Sequence, residues 1–500
     1  MGSSITRNIV GALVLIVLSF IIGIMAADSA KQAALIIIAA AAMVGIIAMG
    51  KHVWITLFLL PPICRLLPDF GGMPVSYALY TAVLCYWSLL RMLGYVNFTW
   101  RKLIGADIII IALTIIMGVA FYRRPASIDA INNLFGIDTD YIAGRAFPVF
   151  VFSLIQYICF SCIPFKRNAI LKCLKWNLIL QLACTFILGL SSLRGAVAHE
   201  NSDYLQYGMF REFGEIIFIT VYCSAPFFKL IVSPKAIVAL SISAITIFFS
   251  GFRSMLAQFG LLVIAVCIVK KEYYALIISF IIGVISIGLL HASDSLKELP
   301  FQAQRTLCVI PGLAVEQGIR AGTDASPNWR VEMWKWDLDP RTGHIKDYML
   351  GDGFGIEAAY QRRSMRSVMR GDLVHGDQKD FAKLRVWHSL FIDTLQSVGY
   401  LGVFVIYGAV LYATFVMYRI NTRLRDTPFF IYSMLYTSRI SVFAIYFFLS
   451  THSLYSFLVI LMSHLAYLKV FHNIAVDEGK IFKGKKTKYV PMLIRQQQQG

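Results

Sequence analysis

Residues 273–291 read YYALIISFIIGVISIGLLH. The run holds no Asp, Glu, Lys or Arg, and as a helix it would be about 28 Å long, close to the hydrocarbon thickness of a bilayer. The same pattern recurs along most of the chain. Apolar segments are expected at 9–26, 33–49, 53–67, 77–93, 104–121, 146–165, 173–191, 214–232, 236–250, 255–269, 273–291, 399–418, 428–449 and 453–471. Composition agrees: of 500 residues 58% are hydrophobic and only 15% charged, with a mean hydropathy of +0.68. A soluble domain carries about a quarter charged residues. A secreted disulfide scaffold, a disordered chain and a typical water-soluble enzyme are excluded. The expected fold is all-α: a polytopic membrane helix bundle of about 12–14 transmembrane spans with one long periplasmic helical loop.

The net charge of +18 is read through its distribution. Arg7, Lys51, Arg101, Lys102, Lys166, Arg167, Lys172, Lys235, Lys270, Lys271, Arg419, Arg423 and Arg425 all fall on one side when fourteen spans are counted. Excess Lys and Arg marks cytoplasmic loops, so both termini are expected in the cytoplasm. Four parts follow: 1–291, a bundle of about eleven spans; 292–387, the periplasmic loop; 388–471, a re-entering segment with the last three spans; and 472–500, a basic cytoplasmic tail. The long loop carries 14 Lys/Arg and 13 Asp/Glu, so its own charge is near zero. The positive excess therefore reports topology and affinity for membrane lipids, and no nucleic-acid partner is expected.

Most of the nine cysteines lie in apolar runs, and the CxxC at Cys159 and Cys162 is read as core packing. Pro61 and Pro62 interrupt the third segment. No phosphate-binding GxxxxGK[ST], HExxH or acidic metal motif is present, so neither cofactor nor metal is expected. GDGFG at 351–355 reads as a tight turn. Ser326-Pro327 opens an expected helix carrying Trp329, Met333 and Trp336, and a second, over about 356–370, bears Arg362, Arg363, Arg366 and Arg370.

Four stretches stand out. NSDYLQYGMFREFGE (201–215) puts Arg211 in an outer loop. FFSGFRSMLAQFG (248–260) puts Arg253 in a short outer turn. WRVEMWKWDL (329–338) puts Arg330 in the long loop, and WHSLFIDTLQSVGYLG (387–402) puts His388 where that loop re-enters the membrane. Guanidinium groups fork onto phosphate oxygens and keep their charge. A histidine can take a proton from a hydroxyl. Each also has a structural reading, as a headgroup-paired arginine or a polar anchor.

Their order resembles the O-antigen ligase and polymerase superfamily of bacterial membrane glycosyltransferases. Members combine a serine-arginine turn, a long periplasmic loop with an arginine before a Gly-rich stretch, and a later His with a GxxG segment. Here Gly399 and Gly402 keep the spacing from His388, while Ser389 and Ser397 stand where Asn and Glu are usual. Arg211 substitutes for an arginine expected nearer Gln206 and Tyr207. The resemblance implies a place in a bacterial inner membrane and transfer of a glycan from undecaprenyl diphosphate to an acceptor hydroxyl at the periplasmic face. The acceptor would be lipid A-core for a ligase, as in lipopolysaccharide biosynthesis, or a glycan repeat for a polymerase of O-antigen or exopolysaccharide. Arg253 and Arg330 would hold the diphosphate, and His388 would orient or deprotonate the acceptor. Arg362, Arg363 and Arg366 would grip phosphorylated core sugars. A different class, a lipid-sugar transporter or flippase, would show charges inside spans, of which Arg439 is the clearest. A central arginine needs a carboxylate partner or a wet cavity, here the donor's.

Overall fold

The computed structural model describes residues 44–66, 75–124, 146–197, 208–248, 253–292, 298–299, 301–308, 310, 317, 320, 330–335, 337–342, 345–355, 389–449 and 452–479. All regular structure among them is helical. The principal helices are α1 (Val44–Cys64), α2 (Val75–Met92), α3 (Ile104–Arg123), α4 (Ala146–Cys162), α5 (Arg167–Val197) and α6 (Gly208–Ser224). They continue with α7 (Pro234–Phe248), α8 (Arg253–Lys270), α9 (Tyr273–Ala292), α10 (Leu390–Leu424), α11 (Phe430–Tyr446) and α12 (Leu454–Asp477). Among the described residues, six helical stretches are long and apolar enough to cross a membrane: Val44–Cys64, Ile104–Arg123, Ala169–Leu190, Leu390–Leu424, Phe430–Leu449 and Leu454–Asp477.

On α3, Ile104, Ile108, Ile111 and Ile115 recur on one face at helical spacing, and each is more than half exposed. A water-soluble bundle would bury such a stripe. Its exposure here is what lipid contact requires, and α3 faces the core with Leu113, Met117 and Ala120 instead.

Contacts at the two ends keep the order that alternating helices demand. At the end bearing the Lys/Arg-rich turns, Arg101 donates to the carbonyl of Phe160 and lies over the ring of Phe165. Lys270 donates to the carbonyls of Tyr222 (2.6 Å) and Ala225 (2.8 Å). Pro226 cannot extend α6, and the ammonium satisfies the carbonyls left open there. Also at this end, Lys469 of α12 pairs with Asp107 of α3 at 2.5 Å, and Tyr157 donates to the same oxygen.

At the opposite end α10 is broken. Gly399 has φ +70° inside the helix, so 390–398 form a separate buried segment before the long span. Residues 348–353 lie across the break. The amides of Tyr400 and Leu401 donate to the carbonyls of Tyr348 and Met349, and the amides of Asp352 and Gly353 donate to those of Gln396 and Ser397. One loop therefore fills the hydrogen bonds that the break opens. The next two amides, of Phe354 and Gly355, donate to the carbonyl of Arg124 and cap α3. GDGFG is thus more than a tight turn: it joins the end of the 390–398 segment to the end of α3.

Several boundaries differ from expectation. The segment expected at 214–232 is α6 at Gly208–Ser224, because Pro226 ends it early. Arg211 accordingly sits in a helix, not a loop, and Arg253 is the first residue of α8. The last span runs to Asp477, so 472–477 belong to α12 rather than to the tail. The break expected between the second and third segments is a left-handed Gly50 followed by exposed Lys51 and His52. The first segment, the 356–370 helix with Arg362, Arg363, Arg366 and Arg370, His388, Trp329 and Trp336 lie outside the described residues. Cys159 and Cys162 are free and buried in α4, as core packing requires.

Candidate functional site

A cavity of about 750 Å³ lies within the bundle, the size of a small-molecule site. It runs from His452, Arg65 and Ser76, at the end opposite the basic turns, inward to Asn177, Gln156 and Tyr467. Its lining includes many polar groups for the interior of an apolar bundle, and several of them have a local cause.

Pro61 and Pro62 lie inside α1. Proline lacks an N–H, so the carbonyls four residues earlier, of Leu57 and Phe58, lose their helical donors. Asn177 of α5 donates to the Phe58 carbonyl, and Gln181, one turn on, donates to Asn177 at 2.7 Å. Gln156 of α4 is buried and donates to the Tyr80 hydroxyl (3.1 Å) and to Ser463 of α12 (3.4 Å). On α11, Ser433 and Thr437 face Asn421 of α10: Ser433 donates to Asn421 Oδ1 at 2.5 Å, and Asn421 donates to Thr437. That contact fixes the rotation of α11. Tyr436, Arg439 and Phe443, at i, i+3 and i+7, then line the cavity. On α12, His464 donates from Nδ1 to the Ile460 carbonyl at 2.6 Å, while Nε2 is buried without a hydrogen-bond partner.

The charged centre is a bridge. Glu212 of α6 places Oε2 2.5 Å from Arg65 Nη2 and Oε1 3.0 Å from Arg439 Nη2. The first contact is a hydrogen bond; the second is ionic contact without hydrogen-bond geometry at Nη2. Arg439 thus both pairs with a carboxylate and lines a cavity. Glu215, one turn along α6, is buried beside it. The approach of α6 to α7 is close because Gly214 has no side chain: a Cβ there would meet Thr246 Oγ1 at 2.3 Å, and Ser243 donates to the Gly214 carbonyl instead.

The described parts of the outer-loop stretches each adjoin helices of this bundle. Arg253 begins α8, whose Gln258 lines the cavity; five residues of helix are about 7.5 Å. Arg211 immediately precedes Glu212. Arg330 opens a helical stretch over 330–335 in which the fully buried Met333 packs against Ile392 of α10. Ser389 caps α10, accepting from the Ile392 amide, and Asp393 accepts the amide of Leu454 at 2.6 Å, tying α10 to α12. His388 precedes that cap.

Sequence reading missed Arg65, Glu212, Glu215 and His464. The acidic pair at i, i+3 next to Arg211 carried a signal: two carboxylates on one face of an apolar helix are a counter-charge for an intramembrane arginine. Among the described residues no group of three or more His, Cys, Asp or Glu side chains is placed to hold a metal ion.

Fold and site define a polytopic helical membrane protein with a charged cavity between its helices. Comparison with protein-family models, curated proteins and solved structures finds no match.

Proposed function

We propose that this chain is a membrane glycosyltransferase of the O-antigen ligase type. It moves a glycan from undecaprenyl diphosphate to an acceptor hydroxyl at the periplasmic face. The observation that carries the reading is the pair of arginines, Arg65 and Arg439, facing one carboxylate in a ligand-sized cavity. Glu212 and Gln258, from the stretches that carry Arg211 and Arg253, line that cavity. A lipid diphosphate is already an activated leaving group, so the protein's task is to bind it and stabilise charge as the sugar departs. Arginines suit this through forked contacts to phosphate oxygens. Acceptor activation falls to His388, with Arg253 and Arg330 at the donor.

The carrier lipid and the arginines would be the same for a polymerase; only the acceptor differs. The surface glycan of a strain lacking the gene separates the two. Loss of capped lipopolysaccharide with accumulation of long lipid-linked polymer marks a ligase. Accumulation of single lipid-linked repeats marks a polymerase. Unchanged glycan contradicts both.

The Lys469–Asp107 pair between two spanning helices and the Arg439–Glu212 pair beside them also suit a transporter of lipid-linked sugars, since intramembrane charges mark substrate pathways. That reading requires the donor to cross a bilayer chemically unchanged.

A further inference from the structure

The bridge has an electrostatic consequence for ligand entry. Among the described residues, the formally charged ones lining the cavity are Arg65, Arg439, Glu212 and Glu215, two of each sign, so these four leave no surplus of positive charge. An entering diphosphate adds at least two negative charges to a site of low dielectric, where uncompensated charge is strongly unfavourable. It finds both guanidiniums already engaged by one carboxylate, each oxygen facing a different arginine. A phosphate group offers paired oxygens to arginine in much the same way.

We propose that Glu212 is an internal counter-ion that gives up Arg65 and Arg439 to the diphosphate of the incoming ligand. The two arginines form the anion site, and Glu212 sets its affinity. In the empty state the carboxylate stops the guanidiniums repelling each other and holds them at a spacing fit for a bridging anion. Binding is then an exchange of arginine partners: the diphosphate takes the guanidiniums, and the displaced carboxylate, part-exposed at the cavity wall, turns to water. The side chain has room to move: Glu212 is 18% exposed and Arg439 25%, at a cavity wall rather than in packed core. The identity of the ligand as a glycan donor rests on the transfer reading; the exchange itself does not.

The test uses the full chain in detergent micelles, with inorganic diphosphate and farnesyl diphosphate as probes and phosphatidylglycerol as the competing headgroup. Glu212→Gln removes the resident anion with little change of shape. It should bind inorganic diphosphate about tenfold more tightly than wild type, and adding Arg65→Gln should abolish the gain. Farnesyl diphosphate should follow the same order, and excess phosphatidylglycerol should not displace it; displacement would reassign the site to a phospholipid headgroup. Unchanged or weaker diphosphate binding by a monodisperse Glu212→Gln protein overturns the exchange. Should that variant not fold, Glu212→Asp serves, since its shorter side chain cannot reach both arginines. A smaller gain is then expected, and no gain overturns the proposal. Exchange without any glycan phenotype on gene deletion would keep the anion site and discard the transfer reading; the reverse outcome would discard only the exchange.

Discussion

Gly351 and Gly399 meet backbone to backbone. A Cβ on Gly351 would lie 2.5 Å from the Gly399 nitrogen, and one on Gly399 would lie 2.3 Å from the Met349 carbonyl oxygen. Both residues have positive φ, +73° and +70°, which favours glycine. The crossing lets the 348–353 loop reach the hydrogen-bonding groups exposed by the break in α10. It anchors the segment carrying Ser389 and Asp393, which ties α10 to α12.

Either glycine should be intolerant of a methyl group. Gly399→Ala adds a steric overlap to a strained φ, together worth about 1–3 kcal/mol. Thermal unfolding of the detergent-solubilised protein should show a clear loss of stability. Because the two glycines share one contact, the Gly351→Ala, Gly399→Ala double variant should lose less than the sum of the singles. Strict additivity would mean that the crossing is not a unit.

Arg439→Leu and Arg65→Leu each leave Glu212 with one guanidinium. The groups are partly exposed, so the stability loss should be about 1–2 kcal/mol, below that of a fully buried pair. Glycan transfer should fall far more than stability. Lysine at either position should restore little, because a point charge does not reproduce the forked contact. A folded Arg439→Leu protein with full transfer would remove that residue from the donor site.

Lys469 and Asp107 form a second pair, with the Lys469 side chain fully buried and its ammonium 4.2 Å from the Trp100 ring. Lys469→Met strands a carboxylate against Tyr157 and should destabilise the fold by about 3 kcal/mol. Lys469→Met with Asp107→Asn should recover most of that loss. Thermal midpoints of the three variants decide the matter. No recovery in the double variant would show that the pair is needed for more than charge balance.

Acid should loosen the loop through Asp347. Its carboxylate accepts the amides of Leu350 (3.0 Å) and Met349 (2.8 Å) and pairs with Arg123 at 2.8 Å. The Leu350 amide above all, then that of Met349 and the Arg123 guanidinium, hold its carboxyl below the usual range. A carboxyl depressed in the folded state contributes its full stability above the unfolded value, about 3.9. That contribution is lost as pH falls through the lower folded value. Limited proteolysis within 345–355 should therefore rise below about pH 4. Asp347→Asn should be equally susceptible at pH 7 and gain nothing further on acidification. Acid sensitivity unchanged in that variant would assign the effect to another group.

Hydropathy located most of the helices. The segment expected at 104–121 is α3 at Ile104–Arg123, and that at 273–291 is α9 at Tyr273–Ala292, because uninterrupted apolar runs leave a helix no alternative in lipid. It misplaced α6, where Arg211, Glu212 and Glu215 lower the average at one end while Phe227–Ile231 raise it beyond Pro226. The break at Gly399 was legible only as a spacing from His388. Its partner loop, some fifty residues earlier, joins it through backbone groups that side-chain patterns do not report. The cavity was the least legible feature. Arg439 announced the need for a partner, but its lining comes from many helices, one or two residues from each. The carbonyl exposed by Pro62 and the amide that answers it are 119 residues apart.

Reconstituted transfer tests the central claim most directly. The full-length protein in vesicles is given an undecaprenyl-diphosphate-linked glycan and a candidate acceptor, with a chelator present. The account predicts release of undecaprenyl diphosphate in step with glycan appearing on the acceptor, unaffected by the chelator and lost in Arg439→Leu. A wild-type protein that leaves the bond between glycan and diphosphate intact in every donor while moving the lipid-linked glycan across the bilayer would contradict it.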